Sequence, residues 1–181
     1  MVYYDFYVSP LGNVTLESDG ENLTGLYIDG QRKVNDDYYK TAKRKTLPIF
    51  SQTVKWLNEY FDGKIPDFTP EINLVGTPFQ KSVWKKLLTI PYGKTVTYGD
   101  IARQIAKEKG LPKMSSQAIG GAVGSNPVSI IVPCHRVIGA NGNLTGYAGG
   151  IDKKVKLLSI EKIDVSKFSL PKKHNRPIFP I

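Results

Sequence analysis

The chain contains a single cysteine, Cys134, within SNPVSIIVPCHRVIG (Ser125–Gly139), directly before His135 and Arg136. A cysteine among Ile, Val and Pro reads first as a small buried hydrophobe. Its polar neighbours point to chemistry instead. A thiol becomes a useful nucleophile only as the thiolate, and a histidine beside it can take the proton directly or through a water. That histidine needs an orienting partner, and Glu161, on a helix predicted over Asp152–Lys162, is placed to face back toward it. Downstream, Gly146-Tyr147-Ala148-Gly149-Gly150 offers backbone N–H groups that can point at an oxygen and a ring that can lie over a planar base. From residue types alone, plainer roles fit each piece as well: His135 capping a turn, Tyr147 in the core, Glu161 in a surface pair.

These residues need elements to position them. Ser129–Val132 is apolar and β-branched, which predicts a buried strand; Pro133 ends it and leaves Cys134 at the strand end. Asn141-Gly142 after Val137-Ile138 is a hairpin signal. Upstream, Thr77-Pro78-Phe79-Gln80 is a capping-box pattern opening a helix with Phe79, Val83, Trp84, Leu87 and Leu88. Thr97 caps a second helix over Tyr98–Lys107, with Ile101 and Ile105 inward. Ser115 caps a third, short helix through Val123, stopped by Gly124. The pattern fits a helix-turn-helix, winged or otherwise variant because residues 108–114 exceed the usual ~3–4-residue turn; it fits an ordinary helical bundle equally. The glycines of the third helix suit either close approach of DNA or tight packing against Tyr98 or the Cys134 strand.

The first third reads as β: Val2–Val8, Asn13–Glu17 and Leu23–Ile28 predict a meander, then a loop over 30–48, a helix over Phe50–Phe61 and a linker over 64–77. The expected division is an N-terminal β-sheet domain over 1–75, a C-terminal domain over 76–165 and a basic extended tail over 166–181. The fold class is therefore α+β. Net charge is +9, yet residues 1–75 carry −3 and residues 76–181 carry +12. That asymmetry points the second half toward a polyanion, or toward a merely solvated lysine-rich surface. No apolar run reaches the ~20 residues of a membrane span, and MVYYDFYVSPLG lacks the basic and apolar regions of a signal peptide. With one cysteine, plus only His135 and His174, no disulfide framework and no metal site are expected. The expected compartment is the cytoplasm.

At this point the residues resemble one family, the O6-alkylguanine-DNA alkyltransferases. NPVSIIVPCHRVIG resembles its active-site signature, built on Pro-Cys-His-Arg-Val. TVTYGDIA, AIGGAVGSNP, TGYAGG and LLSIE fall around it in family order, together spanning residues 76–163. The resemblance implies a small ribonuclease-H-like N-terminal sheet domain and a mostly helical C-terminal domain whose winged-helix-like helix-turn-helix binds the minor groove of double-stranded DNA carrying alkylated bases. It implies a monomer, no membrane association and no cofactor.

The resemblance also assigns roles. Cys134 is the alkyl acceptor, His135 the base acting through a water, and Glu161 the residue orienting His135. Asn126 ties the recognition helix to the active-site segment. Tyr98 hydrogen-bonds and then protonates the guanine ring nitrogen. Tyr147 lines the pocket, the N–H groups of Ala148 and Gly149 face O6, and the carbonyls of Cys134 and Val137 take the exocyclic amine. Ser116, Gln117, Ala118 and Gly121 on the recognition helix meet the DNA; separately, by their charge, Lys85, Lys86, Lys94, Arg103, Lys107, Lys109 and Lys113 cluster around the helix-turn-helix candidate and can neutralise phosphates. One departure stands out. The best-known members carry an arginine that fills the gap left by the flipped base; here that residue is Gln117, which is uncharged but can hydrogen-bond the orphaned cytosine.

The implied chemistry is a displacement at a saturated carbon by a thiolate. Inside a duplex the substituent cannot reach a buried thiol, so the nucleotide must be flipped out. The thioether product has no evident exit, so the protein reacts once. The sequence leaves open whether O4-alkylthymine is accepted as a second substrate. A DNA-binding module without chemistry leaves the Cys-His pair idle. A thiol hydrolase leaves the basic half idle. A non-catalytic lesion sensor of the alkyltransferase-like kind lacks the cysteine present here.

Overall fold

The computed structural model describes residues 1–31 and 36–171, and the chain forms two compact units. The first comprises Met1–Val75 with Pro127–Ile131. Its sheet has the order β3-β2-β1-β4, built from β1 (Tyr3–Ser9), β2 (Gly12–Ser18), β3 (Leu23–Ile28) and β4 (Lys43–Arg44). The first three strands form the antiparallel meander read from the sequence, with Tyr7 opposite Val14 and Leu16 opposite Leu26. The short β4 adds to β1 in parallel, after a one-and-a-half-turn α1 (Asp36–Thr41). Residues 30–48 are therefore not the plain loop expected, although Arg32–Asn35 lie outside the described residues.

α2 (Pro48–Phe61) opens on a proline at its first turn and turns Ile49, Phe50, Trp56, Leu57 and Tyr60 inward onto the sheet residues Val14, Leu16, Leu26 and Ile28. Gly63, at φ +77, ends it. The expected linker is partly structured: the Leu23 N–H donates to the Glu71 carbonyl at 2.8 Å and the Asn73 N–H to the Leu23 carbonyl at 2.9 Å.

The predicted strand at Ser129–Val132 is not one. Val128 makes a single bridge to Leu26, and Ser129–Ile131 then turn, with Ile130 at φ +70 and the Ile131 N–H donating to the Ser129 carbonyl. The run is as buried as predicted. Apolar composition reports that burial, but it cannot tell a buried turn from a buried strand.

The second unit comprises Gly76–Asn126 and the chain from Val132 onward. α3 (Pro78–Leu87) carries the complete capping box of Thr77 and Gln80. Its Val83, Trp84 and Leu87 are buried, whereas Leu88, read as part of the helix, lies at its C-cap and is exposed. α4 (Tyr98–Glu108) has a second capping box, Thr97 with Asp100, and α5 (Ser116–Gly124) has the Ser115 cap. The Trp84 indole N–H donates to the Ala122 carbonyl at 2.8 Å and locks α3 to α5.

β5 (Val96–Thr97) pairs in parallel with β6 (Val137–Ile138). The predicted hairpin is thus replaced by a tight turn in which Asn141 and Gly142 both have positive φ, as the Asn-Gly pair allows. α6 (Ile151–Ile160) packs its Val155 and Leu158 with Ile138 and Leu144. The chain then turns at Val165–Lys167, and Ser169 bridges to Asn143. The tail residues Lys172, Lys173 and Arg176, and His174, lie outside the described residues.

Candidate active site

Cys134 opens a single 3-10 turn, Cys134–Arg136, between Pro133 and β6. All three side chains are buried, and His135 is 0% exposed. The turn aims its two polar side chains at the end of α6. His135 Nε2 lies 2.6 Å from Oε1 of Glu161, while Arg136 donates Nε to Oε2 at 2.9 Å and Nη2 to Oε1 at 3.0 Å. The Gly93 N–H adds a bond to Oε2 at 3.0 Å. Glu161 is the C-cap of α6 rather than a residue within it, one turn beyond the last buried leucine. Burial alone would raise its pKa, but the His135 and Arg136 hydrogen bonds outweigh it and pull the carboxyl down to about 2. Arg136 also donates Nη1 to the Ile90 carbonyl at 2.6 Å, so its role is to hold this carboxylate in place.

The electrostatics set the resting protonation. Desolvation lowers the His135 pKa, against the pull of Glu161, so the ring is neutral at pH 7 and able to accept a proton. Desolvation raises the Cys134 thiol, while a hydrogen bond from Asn126 and the charge of Lys154 oppose the rise. Asn126 follows the C-cap of α5, and its Nδ2 donates to the Val132 carbonyl at 2.8 Å. It thereby links the end of α5 to the segment that delivers Cys134.

In the same unit, a groove of about 950 Å³ is lined by residues including Tyr98, Arg103, Ser116, Gln117, Gly121, Thr145, Tyr147 and Ala148. The Tyr98 hydroxyl donates to the carbonyls of Thr145 at 3.2 Å and Gly146 at 3.3 Å. Burial, with a contribution from Cys134, pushes its pKa up to about 12. Ala148 and Gly149 stand at the tip of a turn closed by the Gly150 N–H on the Tyr147 carbonyl at 3.0 Å.

Ser116, Gln117, Ala118 and Gly121 are exposed along one face of α5. A Cβ built on Gly120, Gly121 or Gly124 meets nothing within 4 Å. Tight internal packing is therefore not what these glycines serve. Arg103 pairs with Asp100 on its own helix, and Lys113 lies with Arg103 and Ser116 along an adjoining cleft. Lys86 is engaged with Glu108 and Lys109 lies over Phe79, so these two lysines are partly committed within the fold.

Two carbonyls expected to receive a substrate amine already hold one partner each. The Cys134 carbonyl accepts from the Val137 N–H, and the Val137 carbonyl accepts from Lys154 Nζ at 2.6 Å. A carbonyl oxygen has a second lone pair, so either can take one more donor. Lys154 itself escaped the sequence reading. Its signal was its spacing, since it falls on the buried stripe of α6 with Leu158 and Glu161.

Two family models match the chain: the 6-O-methylguanine DNA methyltransferase DNA binding domain over residues 78–163, and the 6-O-methylguanine DNA methyltransferase ribonuclease-like domain over residues 2–74. A methylated-DNA–protein-cysteine methyltransferase of Mycobacterium tuberculosis is 47% identical over 165 residues, covering 90% of this chain and 93% of that protein. One of Haemophilus influenzae is 40% identical, covering 90% and 87%. The crystal structure of M. tuberculosis OGT in complex with DNA superposes with a TM-score of 0.75 at 44% identity, covering 92% of this chain and 94% of that one.

Proposed function

The chain belongs to the 6-O-methylguanine DNA methyltransferase family, and from that premise we propose how its residues carry out the reaction. The protein repairs DNA by moving an alkyl group from an alkylated base to its own cysteine. Cys134 is the only cysteine in the chain and hence the acceptor. The observation that carries the reading is the buried chain of contacts behind it, from Asn126 and His135 on the thiol side to Glu161 at 2.6 Å from the imidazole.

His135 meets Glu161 through Nε2, so the thiol proton passes to the other ring nitrogen, through a water. The anionic Glu161 stabilises the imidazolium that forms. The thiolate attacks the alkyl carbon in line; the S–C bond forms as the bond from carbon to guanine O6 breaks. The electron pair passes into the base, and Tyr98 gives its proton to the ring nitrogen. The high pKa of Tyr98 keeps that proton in place until negative charge develops on the base. The tyrosinate recovers a proton by way of the His135 imidazolium, and the sum balances without a cofactor.

Access requires extrusion of the nucleotide into the groove, at a cost of a few kcal/mol, least for a damaged pair. The open glycine face of α5 lets a DNA backbone come close, and Gln117 stands where it can enter the stack. Arg103 and Lys113 serve phosphates. Among the described residues no helix is long and apolar enough to cross a membrane. An acceptor that works only as a free thiol suits a reducing compartment, and that supports reading the protein as cytoplasmic.

The test is intact-protein mass spectrometry after incubation with a duplex bearing one O6-methylguanine, beside a Cys134→Ser protein. Gain of one methyl on the Cys134 peptide, at no more than one equivalent and in the wild type alone, is the expected result. Retention of the DNA with no mass gain would make the protein a lesion binder.

A further inference from the structure

α6 and its C-cap carry two buried charges on one face, and among the described residues only Glu161 has an ionic partner. Glu161 is met by Arg136 and His135. Lys154, two turns earlier, is 0% exposed, and among the described residues no carboxylate lies within ion-pair distance of it. Its ammonium is held by two neutral carbonyls, Val137 at 2.6 Å and Thr145 at 3.0 Å. A cation buried against neutral acceptors is costly, and an apolar residue would fill the same position on the stripe more cheaply. The two carbonyls are not arbitrary. Val137 directly follows the Cys134 turn, and Thr145 lines the groove and also receives the Tyr98 hydroxyl.

We propose that Lys154 is a positioning residue for alkyl transfer: it joins the segment bearing Cys134 to the groove wall that seats Tyr98, and its positive charge at neutral pH favours the thiolate of Cys134. The thiol proton goes to His135, and Lys154 keeps its own. Desolvation brings the lysine down to about 8, the Cys134 charge acts against that fall, and Lys154 in turn opposes the rise at Cys134. The charged and titratable groups facing this region are Tyr92 from the segment between α3 and β5, Tyr98 from α4, His135 and Arg136 from the turn itself, Lys154 from α6 and Glu161 at its C-cap. Lys154 is the cation among them that Glu161 does not neutralise.

The inference rests on Cys134 being the acceptor, so its test is separable from that reading. Cys134 is the sole cysteine, and iodoacetamide followed by intact mass reports its thiolate without DNA. Lys154→Met should move the midpoint of the rate-against-pH curve upward by about one unit, giving roughly tenfold slower alkylation at neutral pH and convergence at high pH. Methyl transfer from an O6-methylguanine duplex should slow in the same pH-dependent way, with DNA affinity unchanged. Lys154→Arg should keep the midpoint. An unmoved midpoint in Lys154→Met, with wild-type transfer intact, would overturn the proposal and leave Lys154 a structural tie. If Lys154→Met does not fold, the wild type decides. The Lys154 Nζ resonance should titrate at lower pH once Cys134 has been methylated with iodomethane, and no change would overturn the proposal. Failure of the wild type itself to take a methyl from DNA would strike the functional reading instead.

Discussion

His135 Nε2 and Glu161 Oε1 lie 2.6 Å apart with both side chains at 0% exposure, and Arg136, the next residue in the chain, closes on the same carboxylate. One carboxylate thus serves an imidazole that changes charge in the proposed mechanism and a guanidinium that never does. Arg136 keeps Glu161 ionised whatever the state of His135, which fixes the acceptor geometry of the ring before substrate arrives. Glu161→Gln keeps the shape and removes the charge. Single-turnover methyl transfer should fall about 100-fold, the lower range for loss of acid–base assistance, with duplex affinity unchanged. Glu161→Ala should in addition lose roughly 3–5 kcal/mol of stability, because Arg136 is left as a buried charge without its partner. Chemical denaturation measures the second effect and rapid-quench kinetics the first.

The same carboxylate predicts an acid limb of stability. Its folded pKa, about 2, lies below the ordinary 4.5. A depressed carboxyl stabilises the fold above its unfolded pKa, and that contribution is lost as pH falls toward the folded value. Wild-type melting temperature should therefore drop between about pH 4.5 and pH 2 more steeply than that of Glu161→Gln. Parallel curves would show that Glu161 is not ionised in the folded chain.

Tyr98→Phe separates chemistry from structure. The hydroxyl donates at 3.2 and 3.3 Å to carbonyls on the groove wall, which are long, weak bonds, so stability should change by less than about 1 kcal/mol. On the proposed mechanism the proton for the departing base is lost, and transfer should slow about 100-fold. Iodoacetamide, whose leaving group needs no proton, should react with Cys134 at close to the wild-type rate.

Asn126→Ala should cost both. The Val132 carbonyl loses a buried donor at 2.8 Å, worth about 1–3 kcal/mol. The thiol loses the hydrogen bond that opposes its desolvation, so its pKa rises further. Transfer at neutral pH should fall, and part of the loss should return as pH is raised.

What was legible in the sequence was local. The two capping boxes, Thr77 with Gln80 and Thr97 with Asp100, satisfy helix ends within four residues, so α3 and α4 could be read from spacing alone. The meander was equally clear, because each strand pairs with its neighbour across a short turn. What failed depended on distant partners. β4 and the β5–β6 pair contain two residues per strand and exist only because another segment completes them. Ile130 at φ +70 is a conformation a β-branched residue does not choose by itself. At the site, the residue types beside the lone cysteine pointed to His135 and Glu161, and the fold brings those two side chains together, with Arg136 on the same carboxylate. Lys154 was hidden among the lysines of IDKKVK, since composition does not say which of them is turned inward.

The bare face of α5 yields the sharpest separation of folding from binding. A Cβ at Gly121 meets no atom within 4 Å, its φ is not positive, and the residue is exposed inside a helix. Glycine there costs the helix roughly 1 kcal/mol relative to alanine or leucine, so Gly121→Leu should leave the fold unharmed or raise its stability by about 0.5–1 kcal/mol. If the face exists to let DNA close on the groove beside Gln117 and Tyr98, the same leucine stands in the way. Affinity for duplex DNA should then fall at least about tenfold, or 1.4 kcal/mol, while iodoacetamide still reaches Cys134 unchanged. Gln117→Ala is the companion variant. It leaves the face open and removes the side chain proposed to enter the stack, so it should slow transfer from a paired duplex more than from a single strand, where no gap needs filling. Fluorescence anisotropy and single-turnover transfer on both substrates check the pair. A Gly121→Leu protein that binds and repairs duplex DNA like wild type would move the DNA to another surface.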